Sequence, residues 1–310
     1  MPRLTLHIGV HRTGTTGLQR TLAANRDRLV LQDKSYPGDQ TNHQEMAWSL
    51  HRGQMSGDDV VDRLRPDHKY AHLIVSGEDF CIHQDLAWLA PLRRIYDVDA
   101  VVYLRRQDHW LMSWYNQHVK WPFSRRHSVM TPQEFLLCLD EFYWLDYDWL
   151  LRLWGDALGR DNLKVRVIEK GQVQDSITDF FALAGIDHAS FDMHEALQND
   201  SLPIETLEFA RQAGMIDMRP GRRMAVINYL KSVVKSKEHT GKTLYTYQER
   251  QGVLDRFSNA NRQVARDWFD RDILFGEAPP DDRDLYVEGT LAAHSNYQDL
   301  LMKSLAFLAK

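Results

Sequence analysis

The chain has 310 residues, 43% hydrophobic and 26% charged, with a formal net charge of −5 and a pI near 6.3. This is ordinary globular composition, enough for one large α/β domain or one domain with a helical extension, and it lacks the global basic field that draws nucleic acid. Any anionic partner must therefore be met by local cations. Cys81 and Cys138 make neither a disulfide framework nor a zinc cluster. No run approaches the roughly 20 apolar residues that span a bilayer, and no secretory leader is visible, so a cytoplasmic protein is expected.

Leu4, Leu6 and Ile8 alternate with Thr5 and His7 up to Gly9, which predicts a short strand. A pattern through Leu18, Leu22 and Ala23 predicts a helix from Thr15 to about Arg28. Residues 43–66 are helical and polar in pattern, broken near Gly53 and at Pro66. His72-Leu-Ile-Val75, Asp99-Ala-Val-Val-Tyr-Leu104 and Leu163-Lys-Val-Arg-Val-Ile168 are short β-branched runs separated by helical patterns. They predict a parallel sheet covered on both faces. Asp85 to Ile95 predicts a short helix that Pro91 interrupts or delays, and Gln107 to Lys120 an amphipathic one. Thr131-Pro132-Gln133-Glu134 is a capping box, and its helical pattern runs on, in one or two pieces, to Leu158 with Gly159 as the cap. Asp175 to Ala184 predicts a helix closed by Gly185, and Thr246-Tyr247-Gln248-Glu249 opens another to about Phe269. Pro279-Pro280 marks a loop, and Asn296 to Leu308 a terminal amphipathic helix. The expected fold is a three-layer α/β domain of P-loop type. Its core spans residues 1–190, and a mostly helical part, 191–310, completes it. The nine tryptophans, several between Trp110 and Trp154, are best accounted for as aromatic core; a sugar-stacking surface is the alternative.

The segment Gly9-Val10-His11-Arg12-Thr13-Gly14-Thr15-Thr16 has the spacing of a phosphate loop, G-x-x-x-x-G-K-[ST], with Thr15 in the lysine position. A cation stands three residues earlier, as Arg12. Inward-turned amides and a helix N-terminus hold any phosphate-like anion, whereas the loop lysine belongs to nucleotide triphosphate chemistry. Its absence argues against an ATPase or GTPase. The strand ending at Leu104 runs into Arg105-Arg106, and Ser113 follows eight residues after Arg105. An arginine at a parallel strand tip, with a serine early on the next helix, can grip one phosphate; taken alone, the residues read sooner as a surface arginine pair and a solvated serine.

Together these motifs resemble the sulfotransferases that use 3′-phosphoadenosine 5′-phosphosulfate (PAPS). That family carries a [KR]-[ST]-G-T-T loop for the 5′-phosphosulfate. It also carries an arginine ending a later strand, with a serine eight residues on, for the 3′-phosphate. Arg12-Thr13-Gly14-Thr15-Thr16 matches the first motif, with arginine where lysine is usual, and Arg105 with Ser113 matches the second. The likeness covers about residues 1–185 and is nearest to bacterial, carbohydrate-type members. It implies transfer of a sulfuryl group from PAPS to a hydroxyl of a sugar or glycolipid. The product would be adenosine 3′,5′-bisphosphate (PAP), with no metal required.

In that chemistry Arg12 would neutralise charge on the departing phosphate, aided by the loop amides and the Thr15 and Thr16 hydroxyls. Arginine cannot donate its proton at neutral pH, so electrostatic stabilisation is its role. The base implied by the resemblance is Glu78 in Ser76-Gly77-Glu78, just past a strand tip, with Asp79 a rival acid. His11, inside the loop, is the alternative base; His43 and His109 are weaker ones. Tyr115, Asn116, Gln117, His118, Lys120 and Trp121 either line an acceptor cleft or divide between core and solvent. Gly241-Lys242 or Gly221-Arg222-Arg223 is the candidate for closing over the 3′-phosphate. Two other readings stand beside this one: a P-loop kinase or NTPase with a displaced loop cation, using Glu78 and Asp79 for magnesium, and a non-catalytic nucleotide-binding protein.

Overall fold

A computed structural model describes residues 1–121, 124–193, 202–215, 220–233 and 242–276. Five parallel strands form one sheet in the order β2-β3-β1-β4-β5. They are β1 (Arg3–His7), β2 (Lys34–Ser35), β3 (His72–Ser76), β4 (Asp97–Arg105) and β5 (Leu163–Ile168). β3 is buried throughout, and so is β4 from Val98 to Leu104, which is the mark of strands covered on both faces. Edge strand β5 alternates buried and wetter positions. Edge strand β2 escapes sequence reading because two residues carry no period; only pairing with His72 and Leu73 makes it a strand.

The helices are α1 (Thr15–Ala24), α2 (Arg26–Val30), α3 (Gln44–His51), α4 (Gly57–Leu64), α5 (Leu89–Ile95), α6 (Gln107–Lys120), α7 (Arg125–Val129), α8 (Pro132–Leu136), α9 (Tyr147–Leu158), α10 (Ser176–Leu183), α11 (Ile204–Ala213), α12 (Pro220–Val233) and α13 (Tyr247–Phe269). Leu18, Leu22 and Leu29 join Ile177, Phe180 and Phe181 over Ile74, Val101 and Tyr103 of the sheet. α5 and α9 also pack on β4. The helix expected to run to Arg28 breaks at Asn25. That side chain donates to the Thr21 carbonyl at 2.8 Å and accepts from the Asp192 amide at 2.9 Å, so its own amide group replaces helix continuation. The pattern from 131 to 158 divides as well. The Thr131–Glu134 box caps only the short α8, two 3₁₀ turns follow, and Asp146 starts α9 by accepting from the Trp149 amide at 3.0 Å. The box at Thr246 and Glu249 forms as expected, with 3.2 and 2.7 Å bonds. The Pro279-Pro280 loop and the helix at 296–308 lie outside the described residues.

The described residues group into two compact units, each drawing on both sides of residue 190. The first takes Met1–Arg106, Tyr143–Asn199 and Phe257–Glu277, and the second takes Gln107–Phe142 and Asp200–Arg256. The second is held internally by buried ion pairs. Arg250 grips Asp108 at 2.8 and 3.0 Å, and Arg211 grips Glu208 at 2.6 Å through two nitrogens. Four of the nine tryptophans, Trp110, Trp114, Trp144 and Trp154, are buried in the core, whereas Trp121 is exposed. Among the described residues, no helix is long and apolar enough to cross a membrane.

Burial in the first unit keeps several histidines neutral. It lowers His7 and His72 to about 3, and His43 and His83 to about 4. His43 shows why: its Nε2 donates to the Pro37 carbonyl at 3.0 Å while its Nδ1 accepts from the Ser76 amide at 3.1 Å. A depressed folded pKa contributes stability above the unfolded value near 6.5 and loses it as pH falls toward 4. Lowering the pH from about 6 to about 5 should therefore cost about 1 kcal/mol per histidine. A urea midpoint that holds or rises over that interval would contradict these neutral states.

Candidate functional site

The site is assembled at the carboxyl ends of three adjacent strands, β3, β1 and β4, where open parallel sheets place their ligands. Beyond β1 the chain keeps its register: the Ile8 and Val10 amides donate to Val101 and Tyr103 at 3.0 Å each. The loop then turns away. Thr13 Oγ1 donates to the Val10 carbonyl at 2.7 Å and folds the loop on itself. Gly9, at φ 109°, lies beneath the Glu78 backbone, where a β-carbon would come within 2.9 Å of its carbonyl oxygen. Gly14, at φ 88°, faces α10, where a β-carbon would overlap the Ser176 hydroxyl. Both glycines are required by close approach as much as by dihedral angle.

Gly14 is the N-cap of α1 and supplies no side-chain cap, and the first turn carries no acid. The leading amides of a helix have no intrahelical partners, so the α1 N-terminus could hold an anion. Arg12 stands at φ 68°, in the left-handed region. Burial lowers its guanidinium pKa, and Glu78 works in the opposite direction. Far below an arginine's usual range it would still be charged, so the group is a fixed cation. Glu78, the first residue past Gly77 after β3, accepts a hydrogen bond from the Thr15 hydroxyl. Arg105, ending β4, donates from Nη1 to the Arg12 carbonyl at 2.7 Å. Tyr147 braces Arg105 by donating its hydroxyl to the Arg105 carbonyl at 2.5 Å.

Three side chains complete the loop's support, and of these the sequence offered no site signal for Cys81. His11 Nε2 lies 3.0 Å from Asp79 Oδ1, and its Nδ1 lies 3.5 Å from Cys81 Sγ. All three are buried. Burial opposes a charge on His11, but Cys81 and Asp79 outweigh it and raise its pKa well above 6.5. Burial raises the Cys81 thiol, so Asp79 is the partner that holds the imidazolium at neutral pH. A buried imidazolium with both nitrogens engaged has no lone pair for a substrate proton. The structure therefore places His11 as a brace between the loop and the turn carrying Glu78. Asp79, the rival acid, is turned inward with it.

Arg12, Thr13, Gly14, Thr15, Glu78 and Arg105 share the first unit, and Thr16 follows in the first turn of α1. Ser113 rides on α6 in the second unit. The helix face proposed for an acceptor is largely spoken for inside that unit. Tyr115 is buried and donates to the Met130 carbonyl at 3.0 Å. Asn116 is buried and clamps Leu202 with two 3.0 Å bonds. His118 is buried too, and Trp121 is exposed. Arg223 is buried and donates to the Val119 carbonyl at 2.9 Å, which removes it as a mobile phosphate cation. Gly241 lies outside the described residues.

No family model matches the chain, and no solved structure matches it. A protein of Archaeoglobus fulgidus, itself uncharacterised, is 29% identical over 203 residues, which is 64% of this chain and 54% of that protein. The chain thus spans about half the length of that relative.

Proposed function

We propose that the chain is a PAPS-dependent sulfotransferase acting on a hydroxyl acceptor, a sugar or glycolipid, within a P-loop-type three-layer fold. The observation that carries this reading is the convergence on one loop of a half-buried guanidinium (Arg12), a carboxylate (Glu78) and a second guanidinium (Arg105) from three neighbouring strand ends. In-line sulfuryl transfer needs charge neutralised on the departing phosphate, a proton taken from the hydroxyl, and the donor held in line. Arg12 and the α1 amides suit the first task and Glu78 the second. Arg105 suits the third. Glu78 is half-buried, so it can face both the loop and an incoming hydroxyl. A recess lined by Pro37, Asn42, His43, Met46 and Arg63 is the candidate acceptor cleft, since its His43 amide bonds Ser76 at the end of β3, two residues before Glu78.

One observation also favours a kinase or NTPase. A carboxylate beside the Thr15 hydroxyl is a ligand pair that magnesium accepts. Thr15 in place of the loop lysine weighs against it. Thermal shift separates the two. PAP should stabilise the full chain without magnesium, and Arg105→Ala should lose most of that response while retaining the smaller response to 5′-AMP. Stabilisation by ATP and magnesium alone would replace this reading with the kinase one. Equal losses for both nucleotides would remove Arg105 from 3′-phosphate recognition.

A further inference from the structure

We propose that His127, Cys138 and Glu141 form a zinc-binding site in the second unit, independent of the loop and of the reaction proposed for it. The ligand atoms of these three side chains all lie within 4.8 Å of one another. His127 Nε2 and Glu141 Oε2 are 3.1 Å apart. Ligands at about 2.0–2.2 Å from a tetrahedral zinc sit at about that mutual spacing. Imidazole, thiolate and carboxylate are the donors that this borderline-soft ion accepts together.

The donors come from one short stretch, and local structure holds them. Ser124 caps α7 through the His127 amide at 3.4 Å. The Thr131–Glu134 box sets α8, and the following 3₁₀ turn, Leu139–Glu141, brings Glu141 back beside Cys138. Phe135 and Phe142 flank the imidazole, with ring centroids 5.7 and 5.9 Å away, and fix its plane. Cys138 is buried and the His127 side chain is 11% exposed, whereas Glu141 is 41% exposed. Such a site is walled on the apolar side and open on the other, leaving a fourth position for water.

A cation already addresses this donor set. Arg126 reaches Glu141 Oε1 at 2.8 Å with one nitrogen and Cys138 Sγ at 3.4 Å with another. Its side chain is 59% exposed, so swinging it into water costs little. Zinc and the Arg126 guanidinium would thus compete for the same two groups. On binding, the S–H bond of Cys138 is replaced by an S–Zn bond and the thiol proton passes to solvent. The count of cysteines did not reveal this site, because only one of them belongs to it.

Cobalt(II) titration of the metal-free, reduced full chain tests the proposal. A thiolate-to-cobalt charge-transfer band should appear, and zinc should abolish it by displacement. Cys138→Ser should lose the band and Cys81→Ser should keep it, with far-ultraviolet circular dichroism confirming that both are folded. Arg126→Ala removes no donor and should tighten binding, by up to about fivefold, the loss of one exposed ion pair. No band in the wild-type chain, a band that survives in Cys138→Ser, or weaker binding in Arg126→Ala would each overturn the site.

Discussion

Replacing Arg12 with alanine should weaken PAP by about 10–100-fold, the worth of a hydrogen-bonded charge contact, and reduce sulfuryl transfer by about 10²–10³ beyond that. The substitution is a clean one. Arginine and alanine both carry a β-carbon, so the positive φ of 68° strains the two chains alike. The hydrogen bond from Arg105 uses the Arg12 carbonyl, which alanine keeps. What is lost is a half-buried guanidinium, and water supplies no fixed charge in its place. Calorimetric titration with PAP and a labelled-donor assay over a panel of hydroxylated acceptors measure the two effects. Arg12→Ala with wild-type turnover would remove this residue from the chemistry.

The second large effect is expected at Glu78. Glu78→Gln should leave PAP binding near normal while turnover falls by about 10²–10⁴, the usual contribution of a general base. Glutamine has the same shape and still accepts from the Thr15 hydroxyl, so the loop should hold its form. Loss of the negative charge relieves repulsion toward an anionic donor, so any change in binding should be a slight tightening. His11 cannot take over, because its ring nitrogens meet Asp79 and Cys81. A Glu78→Gln enzyme that turns over at the wild-type rate would falsify Glu78 as base and leave a substrate-borne or solvent base in its place.

Much of the site's frame was legible before any coordinates. Gly9, Gly14, Arg12 and Thr15 lie within one short strand–loop–helix passage, and the physics that shapes such a passage is local: a strand period, two positive-φ glycines, an uncapped helix start. Capping boxes at Thr131 and Thr246 were legible for the same reason. Glu78 and Arg105 could be placed at strand tips because buried parallel strands announce themselves as unbroken β-branched runs.

Other features had no local signal. His11 looked like a base because histidine titrates near neutrality; its partners, 68 and 70 residues away, make it a charged brace. Tyr115, Asn116 and His118 share a helix with Ser113, but contacts to Met130 and Leu202 within the second unit turn the first two inward. His127, Cys138 and Glu141 are near neighbours in sequence and still escaped notice. A helical period over that stretch would have scattered them; two short helices and a 3₁₀ turn gather them instead.

By itself, then, the sequence determined the α/β class, the strand–loop–helix with its two positive-φ glycines and the charges stationed beside it, since period, glycine placement and helix caps act over a few residues. Tertiary structure decided which of those charges meet, which histidines lose their protons and which segments make each compact unit. Those outcomes depend on burial and on pairings between distant residues, and no short stretch of chain encodes either.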